Sequence, residues 1–365
     1  MRSWSAATGL RRLGRFRAWS APNGANGAVL WTVSVASVLK SQNERMPQRS
    51  DLPDPLGREP FAVRDAVARG VTRDRLRSRD LQRLFHGTRS VGLDFALLAD
   101  RCRAYLPRMG AGNAFSHLTA AELYAFPLPL GRLDPARLHV VTPAPARAPG
   151  GRGIAGHRAL LLPHEVMDLA GLPVVRPEVA WCQVAEKSGV DDAVAVGDWI
   201  VTGNPYLNVL PLATVDDLAS AVELRAGTAG HRTRAAALPL VRDGPLSRPE
   251  SLLRLLLVRA GLPEPLLNVR CVADDGVDLG MPDVAWPDYR TVGQYEGDHH
   301  RSVRQQRSDI RRDELYFDHD WKVVKVSADD LFGRPVELAD RFARRLASQG
   351  WQGAVDLRRL GHFDR

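Results

Sequence analysis

The chain has 365 residues, 44% apolar and 25% charged, the make-up of an ordinary soluble globular protein with room for two or three domains. Its three cysteines, Cys102, Cys182 and Cys271, form no CxxC pair, which argues against a disulfide framework or a cysteine zinc site and fits a reducing cytoplasm. The net charge of +8 is no general nucleic-acid signal: residues 1–45 carry seven Arg and Lys against Glu44 alone, a net of +6, which leaves +2 for the rest.

The Arg-rich start and the mildly apolar run Ala28 to Leu39, too short to span a bilayer, resemble a signal or transit sequence with a loose twin arginine at Arg11-Arg12. The simpler reading is a disordered leader or mis-assigned start, with Met46 the true initiator, because globular patterning begins only after it. Residues 46–60 are a Pro- and Asp-rich approach. Helical spacing then predicts a helix over Phe61 to Arg69 that Gly70 ends, and Thr72 is placed to cap a second helix, Arg73 to Leu81. A short hairpin around His86-Gly87 follows. Helix, glycine turn, helix and β-wing over residues 46–95 describe a winged helix-turn-helix. Arg73, Arg75, Arg77, Arg79, Arg83 and Arg89 are its candidate DNA-binding residues. Alternate arginines cannot share one helical face, so two or three at most could meet phosphates together.

Residues 96–240 read as a mixed middle region. A helix is expected around Phe115 to Tyr124 with Thr119 as its cap and Glu122 completing a capping box. A buried strand follows at Leu138 to Thr142, a Pro/Gly/Arg loop at Ala144 to Gly156, and helices at Pro177 to Ala185 and Asp191 to Val201. Residues 202–246 suggest a linker plus a helix. His117, His139 and His157 have no regular metal spacing and read as structural histidines.

The C-terminal part, residues 247–350, carries the chemistry. Ser247 and Glu250 set up a helix with the Leu252 to Leu257 cluster as its core face. Two strands, Val277 to Trp286 and Arg290 to Glu296, flank a Pro-containing turn, with Asp283 in mid-strand. Residues two apart on a strand share a face, so Gln294 and Glu296 project together, and Asp283 joins them if the strands pair. Carboxylates gathered on one face need an offsetting charge. Mg²⁺ (or Mn²⁺) supplies it through oxygen ligands, can activate water and can stabilise phosphodiester charge. A long polar helix from Arg301 to His319, an alternating strand Trp321 to Ser327 and an amphipathic helix Asp330 to Ser348 complete an α-β-β-β-α-β-α order, with Pro265 to Val272 as the first strand. The expected class is mixed α/β.

Residues 247 to 332 resemble the nuclease-like domain related to very-short-patch-repair endonucleases, of the PD-(D/E)xK superfamily. The matching pieces are Ser247-Arg-Pro-Glu250, Pro282-Asp283-Val-Ala-Trp-Pro, Gln294-Tyr-Glu-Gly-Asp-His-His300, Asp309-Ile-Arg-Arg-Asp313 and Trp321-Lys-Val-Val-Lys-Val. Residues 46–200 resemble, more loosely, actinobacterial proteins that join this domain to a winged-helix front end like that of abortive-infection antitoxins. The resemblance implies a restriction-endonuclease-like fold with Asp283 as the central metal ligand. It puts Gln294 where relatives usually have Glu, and Glu296 at the superfamily's lysine position. Glu250 is implied as an additional ligand or orienting carboxylate, and His300 as the group that protonates the leaving oxygen or positions phosphate.

An amide offers a cation an oxygen without charge, so Gln294 implies a weakened site. Two functions stay open: a Mg²⁺-dependent DNA endonuclease, or a non-catalytic DNA-binding regulator, antitoxin-like, that keeps a nuclease fold. DNA is the expected partner in both, with a homodimer or a cognate toxin as further candidates. An interaction protein without nucleic-acid contact is a third reading.

Overall fold

The computed structural model describes residues 51–129, 136–297 and 303–360. The leader reading for residues 1–45 falls outside these, as does the role assigned to His300. The fold mixes helix and sheet, 41% helical and 18% strand.

The described chain opens with β1 (Phe61–Ala62), α1 (Val63–Ala68) and β2 (Thr88–Arg89), which runs antiparallel to β1. Gly70 ends the α1 segment at φ +83°, and the hairpin around His86-Gly87 closes through an antiparallel bridge between Gln82 and Ser90. The helix expected over Arg73–Leu81 is not there; only a 3-10 turn, Arg75–Arg77, forms. Leu76 and Leu81 are the only apolar residues of that stretch, so an α-helix would have no continuous stripe to bury. The Thr72 hydroxyl accepts the Arg75 N–H at 3.2 Å, and Arg75 forks onto Asp80 at 2.9 and 3.1 Å, holding the tighter turn. The second helix of the helix-turn-helix expectation is therefore corrected.

Next come α2 (Leu98–Tyr105), β3 (Ala114–Phe115), α3 (His117–Leu123), β4 (Leu138–Pro143), β5 (Ile154–Ala159), β6 (Val166–Leu169), β7 (Leu172–Val175), α4 (Pro177–Val184), α5 (Val190–Thr202), α6 (Val215–Leu224) and α7 (His231–Ala237). The strands form one mixed sheet in the order β5-β4-β3-β7-β6. Phe115, Leu138, Val174, Trp181 and Ile200 lie in the large core of this part. Ser116, not Thr119, is the residue that precedes α3; the Thr119 hydroxyl accepts the His139 N–H at 2.8 Å. The stretch expected as a linker plus one helix holds two, α6 and α7, with Thr214 and Asp217 closing a capping box at α6.

The last third contains α8 (Arg248–Arg259), β8 (Leu266–Leu267), β9 (Cys271–Val272), β10 (Asp278–Gly280), β11 (Val284–Trp286), β12 (Thr291–Glu296), α9 (Val303–Asp318), β13 (Lys322–Ser327) and α10 (Pro335–Ser348). A four-stranded sheet runs β13-β12-β11-β8, with β12 and β13 parallel and the other pairs antiparallel. The strand expected over Val277–Trp286 is split into β10 and β11. Pro282 has no N–H to give a ladder, so Asp283 sits just ahead of β11 and not in mid-strand.

The two faces of this sheet bury different cores. Val284, Val324 and Val326 pack with Leu252, Leu256 and Phe342 of α8 and α10. Gly293 belongs to that face, where an added Cβ would stand 2.6 Å from the Phe342 ring and 2.7 Å from Val284. Ala285 and Val292 face the other way, onto Tyr316 of α9, Trp321, and Cys271 and Leu279 of the β9–β10 ribbon. The described residues form one compact unit. Its middle and last thirds are joined by the fully buried pair Arg254–Asp198 at 3.3 Å, between α8 and α5.

Candidate functional site

Strand alternation builds the site. Val292 of β12 lies in the smaller core beneath α9, so the next residues of the same parity, Gln294 and Glu296, continue along that face past the end of the core. The β11–β12 register pairs Val284 with Gly293, which brings Asp283 level with Gln294. The parallel register pairs Gln294 with Lys325. Asp283, Gln294, Glu296 and Lys325 thus meet on one face, at the ends of β12 and β13, and α9 adds Arg312 and Asp313.

The distances are those of a charged network. The Lys325 ammonium donates to the Gln294 side-chain oxygen at 2.7 Å and pairs with Asp313 at 2.8 Å and Glu296 at 3.6 Å. The Asp283 carboxylate accepts the Tyr295 N–H at 2.5 Å. Glu250, at the start of α8, accepts from the Leu246 N–H at 2.8 Å, the Ser247 hydroxyl at 2.7 Å and the Asn268 amide at 2.7 Å. The same Asn268 gives its backbone N–H to the Asp283 carbonyl at 3.2 Å, which links Glu250 to the strand end. Burial, reinforced by the negative charge of Glu250, pushes the Asp283 carboxyl up to about 7; the Tyr295 N–H, Lys325 and Arg312 pull the other way without prevailing.

Of the sequence-predicted residues, the fold gathers Asp283, Gln294 and Glu296, and sets Glu250 within electrostatic reach of Asp283. Gln294 directs its oxygen at Lys325. Lys325, Asp313 and Arg312 were missed as site residues, although they lie in quoted pieces of the resemblance; the available signal was that Lys325 alternates with the core residues Val324 and Val326 on β13.

The six candidate DNA-binding arginines divide. Arg75 is spent on Asp80, and Arg89 donates to the carbonyls of Leu76 at 2.8 Å and Thr88 at 2.7 Å, so both hold the turn together. Arg77 pairs with Asp74 at 3.3 Å, and Arg83 donates to the Arg77 carbonyl. Arg73, Arg77, Arg79 and Arg83 are exposed.

A second cluster was invisible in the sequence. His117, His139 and His157 stack: the rings of His117 and His157 are 3.6 Å apart, and His139 Nδ1 lies 2.9 Å from His157 Nε2. Burial first, then the neighbouring imidazoles and Lys187, holds His117 down to about 2 and His157 down to about 4. Irregular sequence spacing concealed the cluster because parallel β4 and β5 place His157 opposite Val141, diagonal to His139. Among the described residues no group of three or more His, Cys, Asp or Glu is arranged to hold a metal ion, and no helix is long and apolar enough to cross a membrane.

Comparison with known proteins gives two curated relatives, uncharacterised proteins of Mycobacterium tuberculosis strains CDC 1551 and H37Rv. Each is 30% identical over 131 residues, covering 36% of this chain and 48% of the relative. The chain thus spans about half the length of the curated relatives it matches. No protein-family model matches the chain, and no solved structure does.

Proposed function

We propose that the last third of the chain is a metal-assisted phosphodiesterase acting on DNA, with a restriction-endonuclease-like fold of the very-short-patch-repair type. The observation that carries this reading is the placement of Asp283. Its carboxyl is drawn into a half-buried position beside Glu250, where ionisation is opposed, and strongly perturbed groups of that kind concentrate at functional sites. The sheet order supports it, since parallel β12 and β13 bring three further polar side chains to the same strand ends.

The donor set fits a hard divalent cation in part. Asp283, Glu250 and Glu296 are the anionic oxygen donors that would hold Mg²⁺ or Mn²⁺. When bound, such an ion lowers the pKa of a coordinated water and offsets charge on a phosphodiester. Gln294 would contribute little, because its oxygen is engaged by Lys325. Lys325 provides a fixed positive charge beside Glu296, so the neighbouring strand supplies the cation that Glu296 does not. Asp313 and Gln294 anchor that ammonium.

One observation favours a second reading, the non-catalytic DNA-binding regulator. Lys325 already offsets Glu296 and Asp313 without a metal ion. Under that reading the exposed Arg73, Arg77, Arg79 and Arg83, in a winged-helix-like module with a shortened second helix, are the DNA contacts.

Calorimetric titration of the full chain with Mn²⁺ or Mg²⁺, beside plasmid nicking, separates the two. Metal binding and nicking that both vanish in Asp283→Ala support the nuclease. If Gln294→Glu alone binds metal and cuts, the wild-type site is a decayed one and the regulator reading stands.

A further inference from the structure

Arg312 is the unusual cation of this region. It projects from α9, is half-buried, and has no hydrogen-bond or ion-pair partner among the described residues. Other enclosed arginines of the last third are occupied: Arg248 by Asp192 at 2.7 Å, Arg254 by Asp198 at 3.3 Å and Arg341 by Asp330 at 3.1 Å. The adjacent Asp313 could have neutralised Arg312, but it is turned to Lys325 at 2.8 Å. A guanidinium loses hydration on partial burial and is normally compensated by an acceptor. None is provided here among the described residues.

Its surroundings are those of an anion seat. Arg312 is close enough to Asp283 for its charge to act on that carboxyl. It lies over Gly280, close enough that an added Cβ would be in ordinary contact with Arg312 Nε at 3.5 Å, so the guanidinium stem is laid along that strand end. One helical turn on, the Tyr316 hydroxyl is buried and has no hydrogen-bond partner among the described residues, a second polar group left open beside it. Arg312 also acts on that phenol electrostatically. A planar fork of donors next to a carboxylate site matches two oxygens of one phosphate group.

We infer that Arg312 is the phosphate-binding residue of this site, gripping non-bridging oxygens of a nucleic-acid phosphodiester next to Asp283. This rests on the phosphodiesterase reading for its substrate, whereas the anion seat itself can be tested apart from cleavage.

The test uses the full chain, wild type and Arg312→Ala, Arg312→Lys, Arg312→Gln and Asp283→Ala. Inorganic phosphate is titrated by calorimetry, and binding of a fluorescent DNA duplex is followed by anisotropy in Ca²⁺ across a salt series. Expected is a loss of phosphate affinity of about tenfold or more in Arg312→Ala. Arg312→Lys recovers part of it, and the slope of log affinity against log salt falls by about one for the alanine variant. Unchanged unfolding midpoints in all three Arg312 variants are expected, since no partner is lost.

Equal phosphate affinity in wild type and Arg312→Ala overturns the inference, whether or not DNA is cut. Equal cleavage and equal salt slope in those two proteins, with cleavage abolished in Asp283→Ala, overturns it and leaves the nuclease standing. Phosphate bound through Arg312 by a protein that neither binds nor cuts DNA keeps the anion seat and overturns the phosphodiesterase reading.

Discussion

Replacing Asp283 by asparagine should make the protein more stable at pH 8 while abolishing any nuclease activity. The carboxyl titrates at about 7 in the folded chain against an unperturbed 3.8. The unfolded chain therefore releases this proton first, the folded state holds more protons between those values, and stability falls as pH rises through the window. Each pH unit of that window is worth about 1.4 kcal/mol, which sets a ceiling of roughly 4 kcal/mol. Asp283 is only half-buried and shares its environment with Glu250, so about 1–3 kcal/mol is the expected gain. Asparagine imitates the neutral acid at every pH and keeps an oxygen for the Tyr295 N–H. Wild type and variant should accordingly unfold together near pH 4 and separate above pH 7. Urea unfolding at pH 4.5 and pH 8, followed by tryptophan fluorescence, measures the difference; Trp286 and Trp321 lie in the cores on either side of this sheet. A variant no more stable than wild type at pH 8 refutes the argument that burial and the charge of Glu250 oppose ionisation of Asp283, and with it the main support for a functional site here.

Three other outcomes follow from the same structure. His157 is held down to about 4 and His117 to about 2 against 6.5 in the unfolded chain, so their contribution is lost as pH falls below about 6.5; His157→Gln should flatten the decline in melting temperature between pH 7 and 4.5. Asp198→Ala leaves the buried Arg254 only the half-exposed Glu264, at 3.4 Å, as a countercharge, and leaves the Arg242 N–H without its 2.7 Å acceptor. Equilibrium unfolding should show a loss of about 3–5 kcal/mol, partly recovered when Arg254→Met is added, and strict additivity of the two changes would contradict this. Gly293→Ala drives a methyl into Phe342 and Val284, at 2.6 and 2.7 Å, and should cost about 1–3 kcal/mol by the same measurement, with the site face unfilled.

Much of the last third was legible in advance because its signals are local. Ser247 caps α8 as its pattern with Glu250 predicts, the Leu252 to Leu257 cluster is the buried face, and the alternation of Trp321 to Ser327 gives β13. Strand parity alone placed Gln294 and Glu296 together. Pro282 could also have been read as the break that shifts Asp283 out of the strand, since a missing N–H is visible in the sequence. Arg73 to Leu81 misled because the capping position of Thr72 was taken to start a helix where no apolar stripe existed to be buried.

The remaining features depend on chain segments meeting from far apart. Lys325 reaches Gln294 only because β12 and β13 run parallel with the α9 crossover between them, a register that neither strand's own pattern contains. The histidine stack needs β4 beside β5, and the Arg254–Asp198 pair needs α8 against α5. Local periodicity fixes which face of an element is buried. Which charges then share that face, and so which proton is hard to lose or which guanidinium is left without an acceptor, is settled only when distant elements pack and exclude water between them.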